Sequence, residues 1–184
     1  MEFSKKTREL SIKKLQERTL DLLIIGGGIT GAGVALQAAA SGLETGLIEM
    51  QDFAEGTSSR STKLVHGGLR YLKQFDVEVV SDTVSERAVV QQIAPHIPKP
   101  DPMLLPVYEE EGATFSLFRL KVAMDLYDLL AGVNNTPAAN KVLSKEEVLE
   151  REPELKKEGL VGGGVYLDFR NNDARLVIEN IKRA

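Results

Sequence analysis

Gly26, Gly28 and Gly31 fall in the spacing G-x-G-x-x-G directly after an apolar run at 22–25, and Glu49 follows 49 − 28 = 21 residues after the second glycine. That pattern is suited to holding a dinucleotide. The first glycine permits a tight turn, the second lets the backbone approach a pyrophosphate, and the third allows helix and strand to pack closely. The helix that follows opens at Ile29 and Thr30 and aims free N–H groups and roughly +0.5 of partial charge at the phosphates. A carboxylate at Glu49, with Met50 beside it, can accept both ribose hydroxyl protons and would repel a 2′-phosphate. The spacing selects a dinucleotide and leaves NAD and FAD both open.

The elements that must position these residues can be read locally. Residues 22–25 form an apolar strand, 29–41 a helix rich in small residues, and 45–48 a second strand ending at Glu49. Together they make a βαβ unit with a right-handed crossover, which gives the expected fold class of α/β, Rossmann-like. A charged helix with a thin apolar side at Leu10 and Leu15 is expected over residues 4–18. Residues 22–43 carry no charge and are long enough to cross a bilayer, but the glycines at 26, 27, 28, 31 and 33 argue for strand, turn and helix instead. The basic first eighteen residues lack an apolar h-region, so no signal peptide is expected and the cytoplasm is the default location.

Composition excludes several other chemistries. With 184 residues and 42% hydrophobic content the chain can bury a core, while a net charge of −4 argues against a nucleic-acid partner. The absence of cysteine removes disulfides, thiolate metal sites and thiol nucleophiles. His66 and His96 alone are too few for a zinc site, so no metal is expected; His96, near Pro95 and Pro98, reads as structural.

Beyond Glu49, the block GTSSRSTKLVHGGLRYL at 56–72 is polar, glycine-dotted and aperiodic, and reads as a functional loop. A helix follows over 78–94 with Val80, Val84, Ala88 and Ile93 near one face. Five of the seven prolines lie between Pro95 and Pro106, predicting an extended connection and a domain crossing, with a strand at 103–108. Residues 115–130 read as an amphipathic helix burying Leu117, Leu120, Met124, Tyr127 and Leu130. Ser144 and Glu147 form a capping box for a helix from Lys145, with Leu143 and Val148 as its hydrophobic staple. A strand at 165–169 and a last helix from Ala174, capped by Asp173, complete the pattern, and a chain that stops inside that helix reads as truncated.

The polar block, with Asp52 and Phe53 just before it, resembles the signature of the FAD-dependent glycerol-3-phosphate oxidase and dehydrogenase family. The likeness runs from Asp21 to Arg183 and includes RNNDARLVIEN near the end. It implies FAD as cofactor and a Rossmann-like FAD-binding domain followed by the beginning of a mixed α+β substrate domain. The implied division is a charged helix over 1–19, a first FAD-binding segment over 20–95, part of a substrate domain over 96–170, and a helix over 171–184 returning to the FAD domain.

By the same resemblance Thr57, Ser58, Ser59, Ser61, Thr62, Lys63 and Leu64 run along the pyrophosphate and flavin. His66, Gly67 and Gly68 lie at the isoalloxazine ring, and Arg70 and Tyr71 take the substrate phosphate. The implied reaction is oxidation of sn-glycerol 3-phosphate to dihydroxyacetone phosphate by hydride transfer to the flavin, with His66 as the candidate catalytic residue. Reoxidation by O2, giving hydrogen peroxide, is favoured over a quinone-linked dehydrogenase. A related flavin oxidase of amines or amino acids, and a non-catalytic FAD-binding fragment, are the rivals. The sequence leaves oligomeric state open, a homo-oligomer included.

Overall fold

A computed structural model of the chain describes residues 4–74, 76–109 and 116–184. It divides into two compact units, one formed by residues 1–63 and 171–184, the other by residues 64–170.

In the first unit, α1 (Arg8–Glu17) precedes β1 (Leu22–Ile25), α2 (Ile29–Ala40) and β2 (Thr45–Ile48). β1 and β2 pair in parallel, from Leu22 opposite Thr45 to Ile25 opposite Ile48. The expected βαβ unit is therefore present with its expected boundaries, α2 ending one residue early. α1 buries none of its residues fully, and Leu10 is exposed. Its half-buried Leu15 packs with Leu20 over Gly46 of β2, where a larger residue would collide with both. The last helix, α6 (Asp173–Arg183), packs on α2 through a small core of Ala32, Ala54 and Val177. Its cap differs from the expected one. Asn172 accepts the Arg175 N–H at 3.1 Å, and Asp173 is the first helical residue. Both side chains can cap; Asp173 is engaged elsewhere, as described below.

In the second unit, β3 (Leu64–Val65), β4 (Lys99–Tyr108), β5 (Lys141–Leu143) and β6 (Leu160–Arg170) form an antiparallel sheet centred on β6. α3 (Val77–Ile93) and α4 (Leu117–Leu130) cover a core of Val80, Val84, Leu120, Met124 and Tyr127, each side chain contributing roughly 1.5–3 kcal/mol by burial. α5 (Lys145–Arg151) starts at the expected capping box, and Leu143 and Val148 share a buried cluster as its staple.

Four features of this unit differ from the sequence reading. β4 begins at Lys99, so most of the proline-rich stretch is strand. Pro100, Pro102 and Pro106 share one parity and β4 pairs with β6 alone, so the missing N–H groups can all fall on the unpaired edge. β6 is longer than residues 165–169 because Gly162, Gly163 and Gly164 are strand; a Cβ at Gly164 would meet Met124 and Leu120, so glycine lets α4 press onto the sheet. In α3 the buried face is Val80, Val84 and Arg87, while Ala88 and Ile93 are exposed. Finally, the unit starts at Leu64 and not at residue 96, because residues 64–94 pack with α4 in one core. Phe115, the expected start of α4, lies outside the described residues.

Among the described residues no helix is long and apolar enough to cross a membrane, and no group of three His, Cys, Asp or Glu side chains could hold a metal ion.

Candidate functional site

The first unit builds a cleft at the end of β1. The chain turns at Gly26 with φ of +111°, a conformation that L side chains rarely adopt, and the Gly26 N–H donates to the Ile48 carbonyl at 2.8 Å. Gly31, on the first turn of α2, presses against this turn so closely that a Cβ would run into the Gly26 carbonyl oxygen. Gly27 packs under the ring of Phe53, and a Cβ on Gly28 would lie 3.0 Å from Ser58 Oγ. The cleft of about 330 Å³ is lined by Gly26, Gly28, Ile29, Thr30, Gly31 and Ser58, with Ile24, Ile25 and Val34 as its apolar wall.

Gly28 is the N-cap of α2 and has no side chain to satisfy the helix. Ser58, on the 3₁₀ turn Thr57–Ser59, supplies the oxygen instead, accepting the Ile29 N–H at 2.8 Å. An oxygen thus already sits where an open helix N-terminus attracts a phosphate oxygen. Glu49 follows β2, and its two oxygens accept the Gln51 N–H at 3.0 Å and the Gly27 N–H at 2.7 Å. These bonds, Gln51 first, hold its carboxyl below the usual value of 4.5, so it is charged at neutral pH. Met50 is 90% exposed.

The polar block continues as an anchored loop. Ser61 Oγ accepts the Lys63 N–H at 2.9 Å and donates to the Asp173 carboxylate. Lys63 has a left-handed φ of +61°, its carbonyl accepts the Asn171 N–H at 2.7 Å, and its Nζ lies 3.6 Å from Asp173. Ser59 is half-buried and Thr62 exposed. The segment around Asn171 and Asp173 therefore fixes the end of the loop.

The remaining candidates belong to the second unit. Leu64 is in β3, His66 is exposed, and Gly67 and Gly68 are buried. Arg70 donates to the Tyr71 hydroxyl at 3.2 Å, with its guanidinium 5.0 Å from that ring's centroid. The structure thus gathers Gly26, Gly28, Ile29, Thr30, Gly31 and Ser58 at one cleft, with Glu49 tied to Gly27. His66, Gly67, Gly68, Arg70 and Tyr71 form a contiguous run in the other unit.

Sequence reasoning missed a buried cluster in the second unit. Arg87 is 4% exposed and Asp168 2%, and Arg87 Nη1 donates to Asp168 Oδ1 at 2.9 Å and to the Tyr127 hydroxyl at 2.6 Å. Burial pushes the Asp168 carboxyl up from its usual value, opposed by the Arg87 hydrogen bond and charge. Burial likewise raises the Tyr127 and Tyr166 hydroxyls, the latter to about 12. The helical spacing of Arg87 from Val80 and Val84 was the available signal; its pairing with a strand residue 81 positions away was not local information.

A parallel βαβ unit with a glycine turn, a helix N-terminus set against that turn and a charged acid after the second strand defines a dinucleotide-binding protein. The chain belongs to the FAD dependent oxidoreductase family, whose pattern matches residues 21–184. Over all 184 residues it is 95% identical to the alpha-glycerophosphate oxidase of Streptococcus pneumoniae serotype 4, and it spans 30% of that protein's length. The glycerol-3-phosphate dehydrogenase from Bacillus halodurans, solved in complex with FAD, is 41% identical with a TM-score of 0.69, covering 99% of this chain and 28% of that one. Glycine oxidase from Geobacillus kaustophilus shares the fold, with a TM-score of 0.61 at 19% identity over 89% of this chain and 44% of that one. FAD is accordingly the dinucleotide of this family.

Proposed function

We propose that this chain forms the dinucleotide-holding part of an enzyme that oxidises sn-glycerol 3-phosphate to dihydroxyacetone phosphate, with O2 as acceptor and hydrogen peroxide as second product. The observation that carries the reading is the glycine-walled cleft at the mouth of α2, in a chain 95% identical to an alpha-glycerophosphate oxidase. Gly26, Gly28 and Gly31 leave room for a pyrophosphate, the α2 N-terminus at Ile29 and Thr30, with Ser58 Oγ on the Ile29 N–H, receives its charge, and Glu49 takes ribose hydroxyls. Thr57, Ser58, Ser59, Ser61, Thr62, Lys63 and Leu64 line the path of the cofactor. When bound, FAD supplies the hydride acceptor.

The residues His66 to Tyr71 carry the substrate side of this reading. Arg70 offers a planar fork for a phosphate dianion, and the Tyr71 hydroxyl adjoins it. His66 takes part in orienting the reacting carbon or moving the hydroxyl proton, with Gly67 and Gly68 beside it. The 41% identical protein is a glycerol-3-phosphate dehydrogenase, which supports the substrate, and peroxide formation is the measurement that separates an oxidase from a quinone-linked dehydrogenase. The cytoplasm is the proposed location of the assembled protein.

The test is steady-state oxidation in the FAD-loaded protein. Arg70→Ala is expected to raise KM for glycerol 3-phosphate about tenfold or more by removing a charge-assisted contact to phosphate. An unchanged KM, with turnover of a small amino acid in its place, would establish the amino-acid oxidase alternative.

A further inference from the structure

The hydrogen bonds of the buried cluster in the second unit converge on one residue, Gly67. The Gly67 N–H donates to the Tyr127 hydroxyl at 3.1 Å, and the Gly67 carbonyl lies 3.0 Å from Thr83 Oγ1, whose one proton it shares with the Val79 carbonyl at 2.7 Å. The Tyr127 hydroxyl accepts from Arg87 Nη1 and faces Asp168 Oδ1 at 3.4 Å. Arg87 is held in turn by Asp168, by the Leu167 carbonyl at 3.3 Å and by the Phe169 ring, 4.6 Å from the guanidinium carbon. Asp168 also accepts the Phe169 N–H at 3.1 Å. No side chain could replace glycine here, since a Cβ on Gly67 would collide with Tyr127 and Val84.

Stability alone is a poor reason for this arrangement. A buried ion pair seldom stabilises more than a well-packed apolar set of the same volume, and Arg87 Nε is left buried without a partner. The surrounding core of Val80, Val84, Leu120 and Met124 is already apolar. What the polar atoms achieve is to engage both backbone polar groups of a single residue, Gly67, the one that follows the exposed His66. On its other side Gly68 turns with φ of +69°, and Leu69 is buried.

We propose that Tyr127, held by Arg87 and Asp168, is a positioning residue that fixes the Gly67 peptide and so sets the direction of His66. This rests on the reading of His66 as a residue of the glycerol 3-phosphate reaction. Tyr127 touches neither substrate nor cofactor in this account; it acts through the backbone.

Tyr127→Phe removes the hydroxyl and keeps the ring. In the FAD-loaded protein the rate of anaerobic flavin reduction by glycerol 3-phosphate is expected to fall about tenfold or more, while FAD content and KM stay within about twofold. The Gly67 amide should exchange with solvent roughly tenfold faster. Leu120→Ala, which damages the same core away from Gly67, should lower Tm and leave the reduction rate per bound FAD unchanged. A wild-type reduction rate in Tyr127→Phe, unchanged Gly67 exchange, or an equal rate loss in Leu120→Ala overturns the proposal. If the unmodified protein is not reduced by glycerol 3-phosphate, the functional reading fails by itself, and Gly67 exchange in Tyr127→Phe still decides whether the hydroxyl fixes that peptide.

Discussion

Glu49 is the side chain whose charge state matters most at the cleft. Its folded carboxyl is held below 4.5 by the Gln51 and Gly27 N–H groups, so its stabilising contribution is complete above the unfolded value and disappears as pH falls through the folded one. Urea unfolding of the wild type and Glu49→Gln should therefore show a difference that shrinks as pH falls below 4.5; a difference constant across that range would mean the bonds do not favour the charged form. Gly31 is constrained by shape. Gly31→Ala drives a methyl into the Gly26 carbonyl oxygen, and overpacking of this kind costs about 1–3 kcal/mol. FAD retention on gel filtration should drop sharply, and full retention would show that the turn can move aside. The requirement at Gly26, Gly28 and Gly31 was legible because the fingerprint is local in sequence. The involvement of Phe53, which makes Gly27 necessary as well, required knowing where the chain goes after β2.

At the scale of elements, α3, α4 and β6 depend on the Arg87–Asp168 pair. Arg87→Met leaves a buried carboxylate without its partner, which costs about 3–5 kcal/mol, whereas adding Asp168→Leu should recover much of the loss because the unpaired charge is gone. Chemical denaturation of the single and double variants checks this; equal stability of the two would show that the pair is not coupled. The periodicity of α4 and the capping box of α5 could be read directly from neighbouring residues. β4 could not, because prolines usually argue against a strand, and only the pairing with β6 shows that their edge needs no donors. Asp173 misled for a related reason. A capping residue was recognised in the right place, but the choice between Asn172 and Asp173 was made by Ser61 and Lys63, more than a hundred positions earlier.

For the whole molecule, the two units explain why parts of the site were differently legible. The βαβ unit lies in one unit with α6, and the run from His66 to Tyr71 in the other, while the division falls inside the polar block at Lys63 and Leu64. A block without periodicity conceals such a boundary, whereas the proline-rich stretch advertised one that is in fact a strand. The central claim is that glycerol 3-phosphate delivers its hydride to FAD held through the Gly26–Gly31 cleft. Anaerobic addition of glycerol 3-phosphate to the FAD-loaded protein tests it most directly. The account predicts bleaching of the flavin band near ~450 nm, and recovery with peroxide formation when O2 is admitted. A bound flavin that keeps its full absorbance under saturating glycerol 3-phosphate would contradict it.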